Sequence, residues 1–132
     1  MRENELASMA IEAKAAAYAP YSGYKVGAAL LTKSGKVYTG ANIENASFSP
    51  TVCAERTAFF KAINEGEREF SMIAIAGGKC DSISSAYPCG VCRQVMAEFC
   101  HDDFKILVLK CDGGDYIFTL TDLLPFSFGC IK

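Results

Sequence analysis

The sequence lacks three features that would each place it in a broad class of proteins. Its 13 basic residues are scattered rather than clustered, and the formal net charge is −2. A protein that grips a polynucleotide backbone usually carries a basic patch, so we do not expect nucleic acid as a partner. No apolar run is long enough to span a bilayer, and the first six residues carry acids where a signal peptide needs an apolar core. We therefore expect no membrane association and a cytoplasmic location.

Cysteine, by contrast, is abundant: the chain has seven, an odd number. In a reducing compartment, clustered cysteines indicate metal binding more than disulfide bonds. Cys100, Cys111 and Cys130 lie in or near apolar runs, and we expect them to be core thiols without a chemical role.

The length and the apolar pattern predict one domain that spans residues 1–132. Half of the residues are hydrophobic and about a fifth are charged, which is the ordinary balance of a globular protein. Periodicity and turn residues predict helices at 5–18, 53–65 and 89–100, strands at 26–32, 37–43, 70–76, 106–109 and 116–120, and a last helical turn capped by Thr121. This order predicts an α/β fold of three layers, α/β/α, with a single mixed five-stranded sheet.

The most informative spacing joins Cys53 and Glu55 to a Cys-x-x-Cys pair, Cys89 and Cys92. Zinc prefers four tetrahedral ligands, and a catalytic site takes three from the protein and leaves one for water. Cys89 and Cys92 stand at i and i+3, so one helical turn presents both sulfurs on the same face. Residues at i and i+2 do not face each other on a regular helix, so we expect Cys53 at a helix cap and Glu55 in the first turn.

Such a site needs positive charge around it, because three thiolates and Zn²⁺ carry a net charge of −1. Two helix N-termini offset part of that charge, and Arg56 can donate hydrogen bonds to the ligand sulfurs without binding the metal itself. Zinc can then bring the pKa of a bound water toward roughly 7. Glu55 is not needed as a ligand, so it is free to take the proton of that water and act as a general acid/base.

A purely structural zinc with four protein ligands is the alternative. The only histidine, His101, lies about twelve residues after Cys89, near 18 Å along a helix, so it cannot complete the site. Cys80 precedes Cys89 in a predicted loop and could complete it. A non-catalytic zinc module that acts through binding therefore stays open.

Six segments together resemble the cytidine deaminases, in the same order and over nearly the whole chain: residues 17–22 (AYAPYS), 26–31 (VGAALL), 42–46 (NIENA), 53–58 (CAERTA), 88–94 (PCGVCRQ) and 123–125 (LLP). The resemblance is to the small, homotetrameric class with three cysteine ligands. It implies one zinc ion per chain, held by Cys53, Cys89 and Cys92, with Glu55 as the proton shuttle. The implied reaction converts cytidine and 2′-deoxycytidine to the uridines and releases ammonia, as in pyrimidine salvage.

The resemblance also implies a set of substrate-binding residues: Asn42, Glu44, Tyr24, Ala54 and Phe128. An amide and a carboxylate such as Asn42 and Glu44 can donate to and accept from the ribose hydroxyls. The backbone of Ala54 would hold the edge of the base, together with the catalytic carboxylate. The aromatic ring of Tyr24 would line the pocket, and Phe128 would reach into the site of a neighbouring subunit.

Some positions depart from the family pattern. Tyr24 stands where the family usually has Phe, and Phe126 adds a second aromatic residue near the C-terminus. Two exposed phenylalanines are costly for a monomer, so Phe126 and Phe128 should pack either on their own core or on a neighbour. A related deaminase that acts on a nucleoside antibiotic shares the zinc motifs, but residues 42–44 and Arg56 favour the nucleoside enzyme.

Overall fold

A computed structural model describes residues 1–79 and 82–129 of the chain. The first helix continues into a 3₁₀ turn, Lys14–Ala16. The helices are α1 (Glu3–Ala13), α2 (Ala54–Asn64), α3 (Gly90–Phe99) and α4 (Leu120–Leu123), and the strands are β1 (Tyr24–Thr32), β2 (Val37–Ala41), β3 (Phe70–Lys79), β4 (Lys105–Leu109) and β5 (Asp115–Thr119).

The five strands form one mixed sheet in the order β2-β1-β3-β4-β5. The strands β3 and β4 run parallel, and the other neighbouring pairs run antiparallel. A parallel pair needs a crossover, and α3 lies in the segment that joins β3 to β4. The predicted mixed five-stranded sheet is confirmed.

Side chains that alternate along β1 divide the core into two layers. Ala28 and Leu30 pack with Phe59 of α2 and Met96 of α3, on one face of the sheet. On the opposite face, buried residues of β1 pack with Leu6 and Ala10 of α1. Because successive strand residues point to opposite faces, a strand that is apolar throughout fills both layers. The predicted α/β/α arrangement is therefore also confirmed.

Two glycines let the helices lie directly on the sheet. A Cβ at Gly27 of β1 would come within 2.2 Å of the Ala10 carbonyl oxygen in α1. A Cβ at Gly40 of β2 would come within 2.5 Å of the Ala54 carbonyl oxygen, at the start of α2. The first turn of α2, which carries the candidate site residues Ala54, Glu55 and Arg56, thus rests on the backbone of β2.

Several predicted boundaries need correction. The helix predicted at 5–18 begins at Glu3 and loses its α-helical geometry after Ala13. The first strand begins at Tyr24 rather than at residue 26. The predicted cap Thr121 is wrong: the hydroxyl of Thr119 accepts from the Asp122 amide and caps α4, so Thr121 lies inside that helix. Thr119 also ends β5, and the strand pattern hid its capping role.

The three expected core thiols have different outcomes. Cys100 is buried at the end of α3, as predicted. Cys111 is exposed in the β4–β5 turn, so its prediction is wrong. Cys130 lies outside the described residues. None of the helices in the described part of the chain combines the length and apolar character needed to cross a bilayer.

Candidate active site

Two helix N-termini present the candidate metal ligands. Cys53 is the N-cap of α2 and Cys89 is the N-cap of α3, both with extended backbone. Cys92 follows in the first turn of α3 and is buried. The prediction of Cys53 at a helix cap, with Glu55 in the first turn, is confirmed. The positive ends of both helix dipoles therefore meet at the three sulfurs.

The three thiols form a compact triangle. Cys89 Sγ lies 3.7 Å from Cys53 Sγ and 3.7 Å from Cys92 Sγ. All three sulfurs lie within 4.8 Å of one another, and within residues 1–79 and 82–129 this is the one group of potential ligands that could hold a metal ion. Tetrahedral zinc with bonds of about 2.3 Å to sulfur places its sulfurs roughly 3.8 Å apart. The spacing of these sulfurs therefore fits three corners of a zinc tetrahedron.

The electrostatics of the triangle also favour a cation. The pKa of Cys53 is lowered to about 5, first by its hydrogen bond with the Cys92 thiol and further by the Arg56 guanidinium, against an opposing effect of burial. The same thiol–thiol interaction, together with burial, raises the pKa of Cys92 well above its ordinary value. Ionisation of the Cys53 thiol thus disfavours ionisation of the Cys92 thiol. A divalent cation removes this competition, because it stabilises all three thiolates together.

Glu55 is the buried acid of the site. Its side chain is 3% exposed, and among the described residues its Oε1 has no hydrogen-bond partner. Burial is the main reason that the pKa of Glu55 is raised to about 7, and the nearby Cys53 acts in the same direction. A buried polar atom without a partner is uncommon and needs an explanation. A bound water or substrate group would provide the missing partner.

Arg56, the third residue of α2, contacts the triangle of cysteine sulfurs. Its Nη2 donates to Cys53 Sγ at 3.3 Å. Its Nε is buried and, in the part of the chain that the structure describes, has no hydrogen-bond acceptor. The guanidinium thus lies where it can withdraw electron density from a thiolate ligand, as predicted from the spacing.

Asn42 and Glu44, the predicted ribose-binding residues, belong to a polar network at the start of β1. The Asn42 side chain accepts from the Val26 amide at 2.8 Å and donates to the Tyr24 carbonyl at 2.9 Å. Glu44 Oε1 accepts from the amides of Tyr21 and Ser22, at 3.0 and 3.1 Å. The network fixes both side chains in place.

Hydrogen-bonding capacity remains in this network. The Ser22 hydroxyl donates to Glu44, and this bond is the main reason that the pKa of Glu44 is lowered, so the carboxylate is ionised at neutral pH. Asn42 retains a second amide proton and Glu44 retains lone pairs. An open cavity of about 370 Å³ adjoins Glu44, and it is lined by Tyr21, Ser22, Glu44, Asn45, Phe48 and Thr51.

The other three predicted substrate residues lie at three places in the chain. Ala54 is fully buried at the first position of α2, between Cys53 and Glu55. Tyr24 begins β1 and shares the hydrogen bonds of the Asn42 network. Phe128 lies on the C-terminal segment, where its side chain is 86% exposed, and Phe126 is fully exposed. The alternative that these two rings pack on their own core is therefore wrong.

Sequence reasoning missed two residues that shape the site. Ser22 links Glu44 to the backbone of Tyr24, whose amide donates to the serine hydroxyl. Arg93 donates to the Pro88 carbonyl at 2.7 Å and to the Leu123 carbonyl at 2.8 Å, so it holds the turn before Cys89 against α4. Neither role could be predicted from the sequence, because Glu44 and Leu123, the partners of Ser22 and Arg93, are distant in sequence.

Comparison with known proteins agrees with this geometry. The profile of the family described as "Cytidine and deoxycytidylate deaminase zinc-binding region" matches residues 1–108. The chain belongs to this family of zinc-binding deaminases. Within the family it is 48% identical over 128 residues to a cytidine deaminase of Halalkalibacterium halodurans, covering 97% of this chain and 95% of the relative.

A solved structure shows the same fold. A crystal structure of cytidine deaminase from Burkholderia pseudomallei superposes with a TM-score of 0.89 at 43% identity, covering 97% of this chain and all of the other. The match to a blasticidin-S deaminase of Bacillus cereus is weaker, at 30% identity over 110 residues, with 80% of this chain and 77% of the relative covered. The cytidine deaminases of Halalkalibacterium halodurans and Burkholderia pseudomallei are thus more similar to this chain in both identity and coverage.

Proposed function

We propose that the protein catalyses the hydrolytic deamination of cytidine and 2′-deoxycytidine to uridine and 2′-deoxyuridine. The observation that carries this proposal is a buried oxygen of Glu55 that has no hydrogen-bond partner among the described residues. Glu55 lies two residues after Cys53, which forms a triangle of thiols with Cys89 and Cys92 of α3. A structural zinc site has no use for such a carboxylate. Cys80, the candidate fourth ligand, lies outside the described residues.

The reaction exchanges the exocyclic amine on C4 of cytosine for an oxygen from water. One C–O bond forms and one C–N bond breaks, and the two protons of water end on N3 of the ring and on the departing ammonia. Zinc, when bound to Cys53, Cys89 and Cys92, supplies a Lewis acid that makes water nucleophilic at neutral pH.

Glu55 moves these protons. A carboxyl with a pKa near 7 can hold and release a proton at the same pH, which suits a shuttle that acts in both directions. Its burial excludes bulk water, so the proton passes between Glu55 and the reacting groups rather than to solvent. The backbone of Ala54, one residue earlier, holds the edge of the base beside it.

Arg56 and the two helix N-termini adjust the metal ligands. The Arg56 hydrogen bond and the dipoles of α2 and α3 withdraw density from the thiolates. A zinc ion held by Cys53, Cys89 and Cys92 would therefore stay acidic enough to activate water in spite of three anionic ligands.

Asn42 and Glu44 bind the ribose hydroxyls. Their fixed orientation supports this role, because a preorganised amide and carboxylate lose little conformational entropy when the sugar binds. Tyr24 lines the pocket next to them.

The enzyme acts as a homotetramer in which each site is completed by Phe128 of a neighbouring chain. The support is the exposed pair Phe126 and Phe128, whose burial by a neighbour would be favourable. Gln94 of α3 donates to the Phe128 carbonyl at 2.9 Å, so the backbone of the C-terminal segment is anchored at Phe128.

The whole of residues 1–132 acts as one catalytic domain in this proposal. Three cysteines kept as metal ligands require a reducing environment, which supports a cytoplasmic role in pyrimidine salvage.

The test is to incubate the purified, zinc-loaded protein with cytidine, 2′-deoxycytidine, free cytosine and blasticidin S, and to measure ammonia and the deaminated products. We expect rapid turnover of the two nucleosides and little turnover of the other two compounds. Glu55→Gln should lose at least about 10⁴-fold in kcat while it retains zinc. Zinc binding without turnover of any compound would support the structural zinc module instead.

A further inference from the structure

Tyr24 is held at every polar atom by residues of the described chain. Its amide donates to the Ser22 hydroxyl at 3.0 Å, and its carbonyl accepts from Asn42 Nδ2 at 2.9 Å. Its side-chain hydroxyl lies 2.9 Å from Ser84 Oγ, within hydrogen-bond distance. The first two contacts fix the backbone, whereas the third contact fixes the ring.

The ring of Tyr24 lies on the face of the sheet that carries the active site. Strand alternation puts Tyr24 on the same face as Val26, which packs with the layer of α2 and α3. A Cβ at Gly77 of β3 would come within 2.9 Å of the Tyr24 hydroxyl and within 2.4 Å of Ala86 Cβ. The ring therefore lies across Gly77, close to the segment that leads into Pro88 and Cys89.

The segment that carries Ser84 is itself anchored to the sheet. The Ser84 amide donates to the Gly77 carbonyl at 2.8 Å. Lys14, which is buried, donates from Nζ to the Ser82 carbonyl at 2.6 Å. Ser84 thus presents its hydroxyl to Tyr24 from a backbone that is anchored at Ser84 itself and at Ser82.

We propose that Ser84 is a positioning residue that holds the Tyr24 ring as a wall of the nucleoside pocket. This inference rests on the proposed function, since it takes Tyr24 to line the site for cytidine. The hydrogen bond with Ser84 favours one orientation of the Tyr24 ring, and the backbone bonds hold the residue that carries it. The hydroxyl gives the wall a defined position that the ring alone does not have.

The test is a double-mutant cycle on KM. Tyr24→Phe and Ser84→Ala each remove the same hydrogen bond, so each should raise KM for cytidine by about threefold to tenfold, and the double variant should raise it no further. Zinc content and kcat should change by less than about twofold. Ser84→Thr, which keeps the hydroxyl, should restore the KM, and Ser85→Ala on the same segment is the matched control.

Affinity measured without turnover separates this inference from the proposed function. Calorimetric binding of cytidine in a Glu55→Gln background should show the same pattern in Kd. If the unsubstituted protein does not deaminate cytidine, the proposed function is contradicted, but the role of Ser84 in binding is not. An unchanged Kd and KM in Ser84→Ala, or effects that multiply in the double variant, would overturn the role of Ser84.

Discussion

Gly40→Ala tests how closely the catalytic turn depends on its contact with the sheet. The added Cβ would lie 2.5 Å from the Ala54 carbonyl oxygen and 2.6 Å from the Ala58 amide nitrogen. Ordinary contact begins at 3.4 Å, so the start of α2 must move by about 0.9 Å to relieve the shorter contact. Both neighbours are backbone atoms of one helix and cannot rotate away. The movement is therefore transmitted to the turn that carries Cys53 and Glu55.

The expected magnitude follows from that shift. A misplacement of about 1 Å in a catalytic site can cost on the order of 10²-fold in rate. Overpacking of this kind also destabilises a protein by about 1–3 kcal/mol. We therefore expect Gly40→Ala to lose about 10²-fold in kcat/KM at a temperature where the protein remains folded.

The assay combines steady-state kinetics, zinc content and denaturant unfolding. Gly114→Ala is the matched control, because its added Cβ approaches only the flexible end of Lys110 and the Asp112 carboxylate, both in the β4–β5 turn. It should keep kcat/KM within about twofold, and its stability should change by less than about 0.5 kcal/mol. Full activity and unchanged stability in Gly40→Ala would refute the close contact between α2 and β2.

Three further outcomes follow from the same structure. Gly27→Ala should destabilise the fold by about 1–3 kcal/mol, because the added Cβ would contact α1. The folded protein should keep its zinc content, because α1 covers the face of the sheet opposite the active site. Loss of zinc in proportion to the loss of activity would argue against two separate layers. Arg56→Gln removes a charge-assisted bond to a ligand sulfur and should slow kcat by about tenfold or more with zinc retained; an unchanged kcat would make Arg56 a structural partner only. In oligomers co-assembled from Glu55→Gln and Phe128→Ala chains, some sites should combine a native Glu55 with a native Phe128 from a neighbouring chain. The activity of these oligomers should therefore exceed the weighted average of the two parent proteins. A strictly additive activity in verified mixed oligomers would show that Phe128 does not serve a neighbouring site.

The fold and the metal ligands could be predicted because their signals are local. Cys53 and Glu55 are two residues apart, and this spacing alone required a helix cap at Cys53. The Cys89 and Cys92 pair similarly follows from one helical turn. The run at Phe70–Lys79 is apolar enough to indicate a central strand, although its last residues continue beyond the predicted end at 76.

Contacts between distant segments could not be predicted. Arg93 reaches Leu123 across 30 residues, and Tyr24 reaches Ser84 across 60. Neither pair has a periodic pattern, because such bonds depend on how the layers pack. Thr119 was missed for another reason: one residue serves both as the last position of a strand and as the cap of a helix.

The central claim is an open metal site with three protein sulfurs, and X-ray absorption at the zinc edge of the purified protein tests it most directly. The 3.7 Å sulfur spacings predict three sulfurs at about 2.3 Å from one zinc ion per chain, with one lighter oxygen in the fourth position. Addition of the nucleoside product should change the oxygen contribution and leave the sulfur count at three. A spectrum that requires four sulfurs would bring in another cysteine, close the site to water and contradict the account.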